Sequence, residues 1–357
     1  MIDPSIDIRI QKVEPLISPK KLSEMLPISP ELTSSIISMR QSVDKVIRGE
    51  DDRLLAIVGP CSIHDIDAAV EYAKKLKELA DSIKDQMVVV MRTYFEKPRT
   101  VGGWKGLIID PKMDNSYDIT EGLIRARKLL IEITGLGLPV GAEMLDPIVP
   151  QYIDETLAWC SIGARTTESQ VHRTLASGMS VAVGFKNSTS GDISNAINAV
   201  KSAKLNGAFI GIDKNGNSAI YRTTGNDCGH LILRGGDDGP NYYEEEVEDA
   251  AKAMTAMGID PSIVIDCSHA NSRKEYSRQK RILRSVIDQV TLGQKAIKGF
   301  MIESNLFEGC QKITGDRADL AYRVSVTDPC LGWDDTEKLL LRAAQTLRNH
   351  KNKNKGE

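Results

Sequence analysis

The sequence lacks any apolar run of the roughly 18 residues that a membrane span needs. Its first residues, MIDPSIDIRIQK, also lack the charged and then apolar pattern of a secretory signal. Basic and acidic residues nearly balance, and the formal net charge of −3 gives no general attraction to nucleic acid or to an anionic membrane. These absences predict a cytoplasmic protein that binds neither nucleic acid nor membrane.

Two short motifs are missing as well. The six cysteines contain no Cys-x-x-Cys pair and are dispersed, so we expect reduced thiols and no disulfide framework. No Gly-x-Gly-x-x-Gly follows an early apolar run, which disfavours a dinucleotide-binding sheet. A cysteine with a chemical role must therefore be recognised by its place in the fold.

The first 50 residues differ from the remainder. Residues 7–11 alternate in polarity like a short strand, and several prolines follow them. Residues 31–48 have the apolar spacing of an amphipathic helix, and Gly49 is a suitable stop. We predict an arm and a helix rather than a separate domain, and the exposed arm strand predicts pairing with another subunit.

From residue 53 onward, short apolar runs alternate with helical stretches. Several runs are continuously apolar, as in parallel strands that are buried on both faces. The predicted strands are 54–59, 87–92, 139–144, 161–165, 181–186, 230–234, 262–267 and 298–303. This number of strand–helix units predicts an α/β fold of the closed (β/α)8 TIM-barrel type, with an open doubly wound sheet as the alternative.

Residues 208–224 interrupt this rhythm. Two strand-like runs flank Asn215-Gly216, which is a strong indication of a β-hairpin. We therefore predict a hairpin inserted into the barrel at about 208–224. The predicted divisions are a regulatory or oligomer-forming N-terminal extension (1–50), a catalytic barrel (51–350) and a tail (351–357).

Charged side chains follow the ends of most predicted strands, where parallel barrels carry their active sites. Many of them are cations, and buried cations need anions to neutralise them. These cations are Arg92, Lys97, Arg99, Arg165, Lys186 and Arg234. Such a ring predicts a substrate with more than one anionic group, such as phosphoenolpyruvate, or two phosphorylated substrates. Glu143 ends the third predicted strand and is expected at the same mouth.

Cys61, His269 and Glu303 are predicted to share this mouth. Thiolate, imidazole and carboxylate together suit a divalent transition metal. Each residue alone has a simpler explanation, since a lone cysteine is usually a core residue. The barrel topology is what brings them together, and Asp328, which follows the last strand, is a candidate fourth ligand.

Motifs throughout the chain resemble those of 3-deoxy-D-arabino-heptulosonate 7-phosphate (DAHP) synthases of the feedback-regulated type found in enteric bacteria and yeast. The resemblance covers essentially the whole chain, and long strings such as GARTTESQ make it specific. The matching motifs are GPCSIHD (59–65), YFEKPRT (94–100), WKGLI (104–108), IGARTTESQVHR (162–173), GFKN (184–187), ILRGG (232–236), DCSHANS (266–272) and IESN (302–305).

The resemblance implies a TIM-barrel transferase, a 3-deoxy-7-phosphoheptulonate synthase. Such an enzyme condenses phosphoenolpyruvate with erythrose 4-phosphate in the first step of the shikimate pathway to aromatic amino acids. One divalent metal is implied, with Mn²⁺ expected and Fe²⁺, Co²⁺ or Zn²⁺ as alternatives. The implied metal ligands are Cys61, His269, Glu303 and Asp328.

The resemblance also implies roles in substrate binding. The residues implied for phosphoenolpyruvate are Arg92, Lys97, Arg165, Lys186 and Arg234, with Glu143 at the same site. Arg99 and Thr100 are implied for the phosphate of the aldose. Lys97 is expected to protonate the developing alkoxide, beside the metal ligands Cys61 and His269.

Family members are often inhibited by an aromatic amino acid, in a cavity near the N-terminal arm and the hairpin. Gly211 leaves space where phenylalanine-controlled relatives tend to carry serine, which favours tyrosine as the inhibitor. The DKNG turn and Tyr221 are more similar to tryptophan-controlled relatives. The positions implied for the inhibitor are Asp7, Pro150, Gln151, Met179, Ser180, Phe209, Gly211 and Tyr221. A homo-oligomer, dimer or tetramer, is expected.

Two other functions stay open at this stage. The chain could be a catalytically idle barrel that only binds an aromatic metabolite or a partner, although no implied ligand is lost. It could also condense phosphoenolpyruvate with arabinose 5-phosphate, but the synthase for that reaction looks like a shorter barrel without the arm and the hairpin. Rates with the two aldose phosphates distinguish these enzymes.

Overall fold

The computed structural model describes residues 7–99, 101–313, 315 and 317–354. The strands are β1 (Leu54–Gly59), β2 (Met87–Arg92), β3 (Val140–Glu143), β4 (Trp159–Ile162), β5 (Ala182–Lys186), β6 (Gly207–Ile212), β7 (Ser218–Thr223), β8 (Gly229–Leu233), β9 (Ile263–Asp266) and β10 (Ile297–Glu303). The α-helices are α1 (Pro19–Met25), α2 (Pro30–Arg48), α3 (Ile66–Ile83), α4 (Ile119–Gly135), α5 (Pro150–Ile153), α6 (Gln170–Ala176), α7 (Ser194–Ala203), α8 (Glu244–Ala256), α9 (Gln279–Thr291) and α10 (Trp333–Asn354). Short 3₁₀ turns span Asp154–Thr156, Tyr276–Arg278 and Arg317–Asp319.

Strands β1, β2, β3, β4, β5, β8, β9 and β10 close a parallel barrel in that order. The barrel closes because β1 pairs with both the second and the last strand. Leu55 lies opposite Val88 on one side and opposite Gly299 on the other. A helix follows each barrel strand, so the predicted (β/α)8 barrel is confirmed and the open doubly wound sheet is wrong.

The continuous apolar runs have two buried faces, as expected for parallel strands. On β1, Leu55 and Ile57 point into the barrel interior, where Trp159 and Met301 also lie. Ala56 and its outward-pointing neighbours pack in the layer between the barrel and the surrounding helices. No helix in the described part of the chain is long and apolar enough to cross a membrane.

Helix α2 covers the N-terminal end of the barrel. It begins after Ser29, whose hydroxyl caps the first turn, and it ends at Gly49 with a left-handed φ of 75°. Val43 and Val46 belong to the barrel-interior cluster. The Ser262 hydroxyl, just before β9, donates to a carbonyl near the end of α2. This end of the barrel is therefore occupied, which leaves the opposite mouth for ligands.

The predicted arm strand at residues 7–11 is wrong. The segment makes a turn in which the Ile10 N–H donates to the Asp7 carbonyl at 2.9 Å. Its residues are exposed, and among the described residues it has no strand partner. Alternating polarity by itself cannot supply the neighbouring strand that satisfies a strand's backbone groups. Instead, the extension forms the short helix α1, which was not predicted from the sequence.

The hairpin prediction is confirmed. Strands β6 and β7 pair antiparallel as a separate two-stranded sheet, with Ile212 opposite Ser218. Gly216 adopts a φ of 89° in the turn, which an Asn-Gly pair favours. The Lys20 N–H donates to the Lys214 carbonyl at 2.7 Å, so the N-terminal extension contacts the tip of the hairpin.

Two predicted boundaries shift by more than one residue. The fourth strand covers Trp159–Ile162 rather than 161–165, because the chain turns at Gly163, whose carbonyl accepts the N–H groups of two later residues. The last helix, α10, continues to Asn354, so the first residues of the predicted tail are helical. Both shifts reflect local hydrogen bonding that the apolar pattern does not encode.

Candidate active site

A cleft of about 230 Å³ opens at the C-terminal mouth of the barrel. Side chains from the loops after six barrel strands line it, together with a segment near residue 328. The sequence-predicted residues among them are Lys97, Arg99, Glu143, Arg165, Lys186, Arg234, His269 and Asp328. The topology therefore gathers at one place residues that are far apart in the chain.

A group of possible metal ligands lies beside this cleft. One ligand atom from each of Cys61, Glu303 and Asp328 lies within 4.8 Å of the other two. Cys61 follows β1 and Glu303 ends β10, and these strands are paired so that Glu303 lies opposite Gly59. A thiolate sulfur and carboxylate oxygens suit a divalent transition metal, so these residues fit the implied ion.

His269 lies next to this group. Its Nε2 is 3.9 Å from Oε1 of Glu303, and its Nδ1 is 2.8 Å from Oδ2 of Asp266. A ligating histidine commonly bonds a carboxylate through its other ring nitrogen, which fixes the tautomer and the ring orientation. His269 also has a φ of 51°, which is uncommon outside glycine and is found at functional sites. Asp266 was seen in the sequence only as a strand end and received no role.

The surroundings shift the pKa values of Cys61 and Asp328 in opposite directions. Burial and the neighbouring Glu303 carboxylate raise the pKa of the Cys61 thiol to about 11, against the effect of Lys97. Burial also disfavours ionisation of Asp328, but Lys97 and His269 outweigh it and hold the pKa of that carboxyl below its usual value. A bound cation would favour the thiolate form of Cys61.

Three of the predicted cations are buried and paired. Arg92 donates from Nη2 to Oε1 of Glu303 at 3.0 Å. Lys97 Nζ lies 3.2 Å from both the thiol and the carbonyl oxygen of Cys61. Lys186 Nζ lies 3.4 Å from Oδ2 of Asp266. These pairs link the cationic wall of the cleft directly to the metal-ligand group.

A network of buried amides lies behind Arg234. The Asn187 Oδ1 accepts the Arg234 N–H at 2.8 Å and also accepts a bond from Asn241. Asn271 donates to the carbonyls of Leu233 and Asp266, at the ends of β8 and β9. The network therefore fixes the ends of neighbouring strands. No role was predicted for these asparagines, although Asn187 and Asn271 fall within the GFKN and DCSHANS motifs.

Glu143 occupies space that glycine leaves open. A Cβ atom built on Gly163 would collide with the Glu143 carboxylate, so a larger residue at 163 would displace it. Arg99 is exposed and donates from Nε to the Trp104 carbonyl at 2.9 Å. Arg165 lines the cleft, and Thr100 lies outside the described residues.

Several residues of the predicted inhibitor site come together on the hairpin. Phe209 and Tyr221 are stacked, with ring centroids 5.1 Å apart. The Tyr221 hydroxyl donates to Oε1 of Gln151 at 3.0 Å. A Cβ atom on Gly211 would lie 3.2 Å from the Tyr221 ring, so this ring borders the space at Gly211.

The remaining predicted inhibitor residues are more dispersed. Pro150 begins α5, directly before Gln151. Met179 is buried near the hairpin, and its carbonyl accepts a bond from Asn226. Ser180 and Asp7 are both exposed. The hairpin residues Phe209, Gly211 and Tyr221 therefore lie together with Gln151. Asp7 belongs to the N-terminal extension, which contacts the hairpin through Lys20.

Comparison with known proteins identifies the family of the chain. A model described as the DAHP synthetase I family matches residues 26–341. The chain belongs to this family. The match confirms the resemblance carried by the motifs, and the protein is therefore an enzyme of the DAHP synthase family.

Named relatives cover nearly the full chain. The tyrosine-sensitive phospho-2-dehydro-3-deoxyheptonate aldolase of Escherichia coli K12 is 47% identical over 341 residues, 96% of each chain. The phenylalanine-sensitive aldolase of the same strain is 47% identical over 342 residues, 96% of this chain and 97% of the relative. The tryptophan-sensitive aldolase is 44% identical over 341 residues, with the same coverage.

A solved structure agrees with the fold. The structure of phospho-2-dehydro-3-deoxyheptonate aldolase from Francisella tularensis SCHU S4 superimposes with a TM-score of 0.92 at 45% sequence identity. The match covers 95% of this chain and 98% of that one. Relatives sensitive to each of the three aromatic amino acids have similar identities, so overall identity does not favour one inhibitor.

Proposed function

We propose that this protein condenses phosphoenolpyruvate with erythrose 4-phosphate to give DAHP and phosphate, with one divalent metal ion. The observation that carries the proposal is a cation-lined cleft that adjoins a thiol and carboxylate ligand group. The cations match two phosphorylated substrates, one of which also has a carboxylate. Membership of the DAHP synthetase I family supports the same reaction.

Cys61, His269, Glu303 and Asp328 would hold the ion. The mixed sulfur, nitrogen and oxygen set suits Mn²⁺, Fe²⁺, Co²⁺ or Zn²⁺, and we propose Mn²⁺ as the expected occupant. The bound ion would act as a Lewis acid toward the aldehyde oxygen of erythrose 4-phosphate. Asp266 and Ser268 would support the site at the Nδ1 side of the His269 ring, where the Ser268 hydroxyl lies 2.7 Å from Nδ1 and 2.6 Å from the Asp266 carboxylate.

The cleft cations would position the substrates. The residues that would bind the carboxylate and phosphate of phosphoenolpyruvate are Arg92, Lys97, Arg165, Lys186 and Arg234. Arg99 and Thr100 would bind the phosphate of the aldose at the outer side. Holding two polyanions in fixed orientation supplies much of the rate acceleration in such a reaction, because it converts a bimolecular step into an effectively unimolecular one.

Bond formation then follows from that arrangement. The C3 carbon of phosphoenolpyruvate attacks the aldehyde carbon and forms the new carbon–carbon bond. The aldehyde oxygen takes a proton, and a water oxygen adds at C2 and loses both of its protons, one of which replaces the proton given to the aldehyde oxygen while the other goes to the leaving phosphate. The bond between C2 and the phosphate oxygen breaks, which releases phosphate and leaves the ketone.

Lys97 is our candidate for the proton donor. Burial disfavours its charge, but the nearby Cys61 and Glu303 raise its pKa, so the ammonium form is maintained. Its Nζ lies 3.2 Å from Sγ of Cys61, one of the residues that would hold the ion. A proton on Lys97 is therefore available where negative charge develops.

The test is an assay that follows loss of phosphoenolpyruvate, with and without a chelator. We expect consumption that requires erythrose 4-phosphate, stops with chelator and returns with Mn²⁺. A faster rate with arabinose 5-phosphate would favour the related sugar-acid synthase. No consumption with either aldose, despite full metal loading, would favour an idle binding barrel and contradict the proposal.

We also propose feedback inhibition by an aromatic amino acid, with tyrosine favoured, at the hairpin site. The stacked pair of Phe209 and Tyr221, which pack against Gly211 with no side chain between them, supports an aromatic ligand there. Titration of each aromatic amino acid against the initial rate tests this. Tyrosine should inhibit at the lowest concentration, and Gly211→Ser should weaken tyrosine relative to phenylalanine. Absence of inhibition by all three would contradict the proposal.

A homo-oligomer, dimer or tetramer, is the last part of this proposal. Ile210 and Ile220 lie opposite each other on β6 and β7, and they are 80% and 72% exposed. Such an apolar cross-strand pair on a small sheet is suited to burial against a second copy. Sedimentation should show at least a dimer, and Ile210→Lys should shift it toward monomer. A monomeric wild type would contradict this part.

A further inference from the structure

One buried aromatic ring is a common neighbour of three cations at the active-site mouth. Tyr94 lies two residues after β2 and is only 1% exposed. The Arg92 guanidinium carbon lies 4.0 Å from the ring centroid. Lys97 Nζ lies 5.8 Å and Lys186 Nζ lies 6.0 Å from the same centroid. Arg92 and Lys97 flank Tyr94 in the chain, whereas Lys186 comes from β5, and all three approach this ring.

The ring itself is anchored. The Tyr94 hydroxyl and the Ser161 hydroxyl are 2.8 Å apart, and Ser161 lies on β4 with no exposure. This bond ties the ring, which follows β2, to the side of the barrel formed by β4. Tyr94 also belongs to the barrel-interior cluster. Its position is therefore set by the rigid barrel, and not by the loop that carries Lys97.

The physical role of such a ring is electrostatic. Three like charges that are brought together and desolvated repel one another. The face of an aromatic ring carries partial negative charge and attracts cations within about 6 Å, more strongly where water is excluded. The anionic partners of these cations, Glu303, Asp266 and Cys61, are all at or next to the metal-ligand group. The Tyr94 ring, by contrast, is an uncharged neighbour of all three cations and lies outside the proposed metal-ligand set.

From this geometry we propose that Tyr94 is a positioning residue for phosphoenolpyruvate, holding Arg92, Lys97 and Lys186 in the spacing that receives its anionic groups. The inference rests on the proposed function for the identity of the anion. It differs from a packing role because it depends on the negative face of the ring. It predicts a specific loss of affinity for phosphoenolpyruvate when that face is removed or weakened.

The first test compares Tyr94→Leu with Tyr94→Phe. Loss of the ring should raise the KM for phosphoenolpyruvate about tenfold, equivalent to about 1.4 kcal/mol. The KM for erythrose 4-phosphate should change by less than about twofold, since the aldose phosphate subsite lies outside the ring's contacts. Tyr94→Phe keeps the ring and should largely restore the KM for phosphoenolpyruvate. A change of similar size in both variants would overturn the proposal.

A second pair of variants separates the effect of the ring's charge distribution from an effect of misfolding. Phenylalanine and 3,4,5-trifluorophenylalanine at position 94 have nearly the same shape, but fluorination weakens the negative face of the ring. Calorimetry with phosphoenolpyruvate alone should show weaker binding to the fluorinated protein. Equal affinities would show that only packing matters and would overturn the proposal.

Tyr72→Leu is the matched control. Tyr72 is also fully buried, but it packs against Trp333 in the outer layer, with ring centroids 5.4 Å apart. This variant should lower the melting temperature without changing the KM for phosphoenolpyruvate. A wild-type protein that consumes no phosphoenolpyruvate would contradict the proposed function. An active wild type whose Tyr94→Leu variant keeps its KM would overturn only the role of Tyr94.

Discussion

The Nδ1 atom of His269 lies 2.8 Å from Oδ2 of Asp266, and the same carboxylate oxygen lies 3.4 Å from Nζ of Lys186. One fully buried carboxylate thus connects a proposed metal ligand with a proposed phosphoenolpyruvate ligand. Burial opposes its ionisation, but His269 and Lys186 hold the pKa of Asp266 well below its usual value. These two neighbours therefore favour the charged form of the carboxylate.

This relationship predicts the effect of Asp266→Asn. Loss of the negative charge should free the His269 ring and leave Lys186 unpaired. Metal affinity is expected to fall about 10- to 100-fold, the range seen when an outer partner of a ligand is removed. Mn²⁺ titration followed by electron paramagnetic resonance measures it. Asp260→Asn, on the segment before β9, is the control, and equal affinity in both variants would contradict the role of Asp266.

The metal site predicts a difference between two buried cysteines. Cys61→Ala should lose bound metal and reduce turnover by more than about 100-fold, because it removes a direct ligand rather than an outer partner. Cys160→Ala, at an equally buried position on β4, should retain both. Metal content after dialysis and turnover with excess Mn²⁺ are the measurements. Near-normal metal content in Cys61→Ala would exclude it as a ligand.

The close approach of Glu143 to Gly163 predicts the outcome of Gly163→Ala. The new methyl group must push the carboxylate aside, and a displacement of about 1 Å at an active site can cost about 100-fold in rate. Stability should fall only slightly, because the end of a flexible side chain can move. Gly135→Ala, at the end of α4 with open space around it, should be neutral or slightly stabilising. Parallel measurements of kcat and melting temperature decide the matter, and unchanged kcat in Gly163→Ala would count against a role for Glu143.

The buried His230 predicts a pH dependence of stability. Trp159 Nε1 donates to its Nε2 at 3.1 Å, and burial lowers the pKa of His230 from 6.5 to about 4. Between those pH values the unfolded chain binds a proton that the folded protein does not. The contribution of His230 to the free energy of unfolding is therefore fully present above pH 6.5. It is lost as the pH falls toward 4, and the loss is at most about 3 kcal/mol.

Urea unfolding of His230→Gln measures this effect. Glutamine keeps an acceptor for Trp159 but does not titrate. The variant should therefore lose less stability than the wild type between pH 6.5 and pH 4.5. Identical pH profiles for the two proteins would show that His230 is not the group responsible.

The repeating part of the fold was predictable from the chain alone. Apolar runs of strand length, such as residues 54–59 and 87–92, alternate with amphipathic stretches, and that rhythm is set by which faces must be buried. The hairpin was equally local, since Asn215-Gly216 favours the required turn. The structure of residues 7–11 could not be predicted in this way, because an alternating segment forms a strand only where another strand pairs with it.

The site divides in the same way. Residue types and strand ends placed Cys61, Glu303 and the cations at one mouth, because parallel strands all present their C-terminal ends on the same side. The sequence could not show that one carboxylate, Asp266, serves both His269 and Lys186. Nor could it show that Tyr94 is shared by cations from different segments. Those relationships depend on distances across the closed barrel, which only tertiary packing sets.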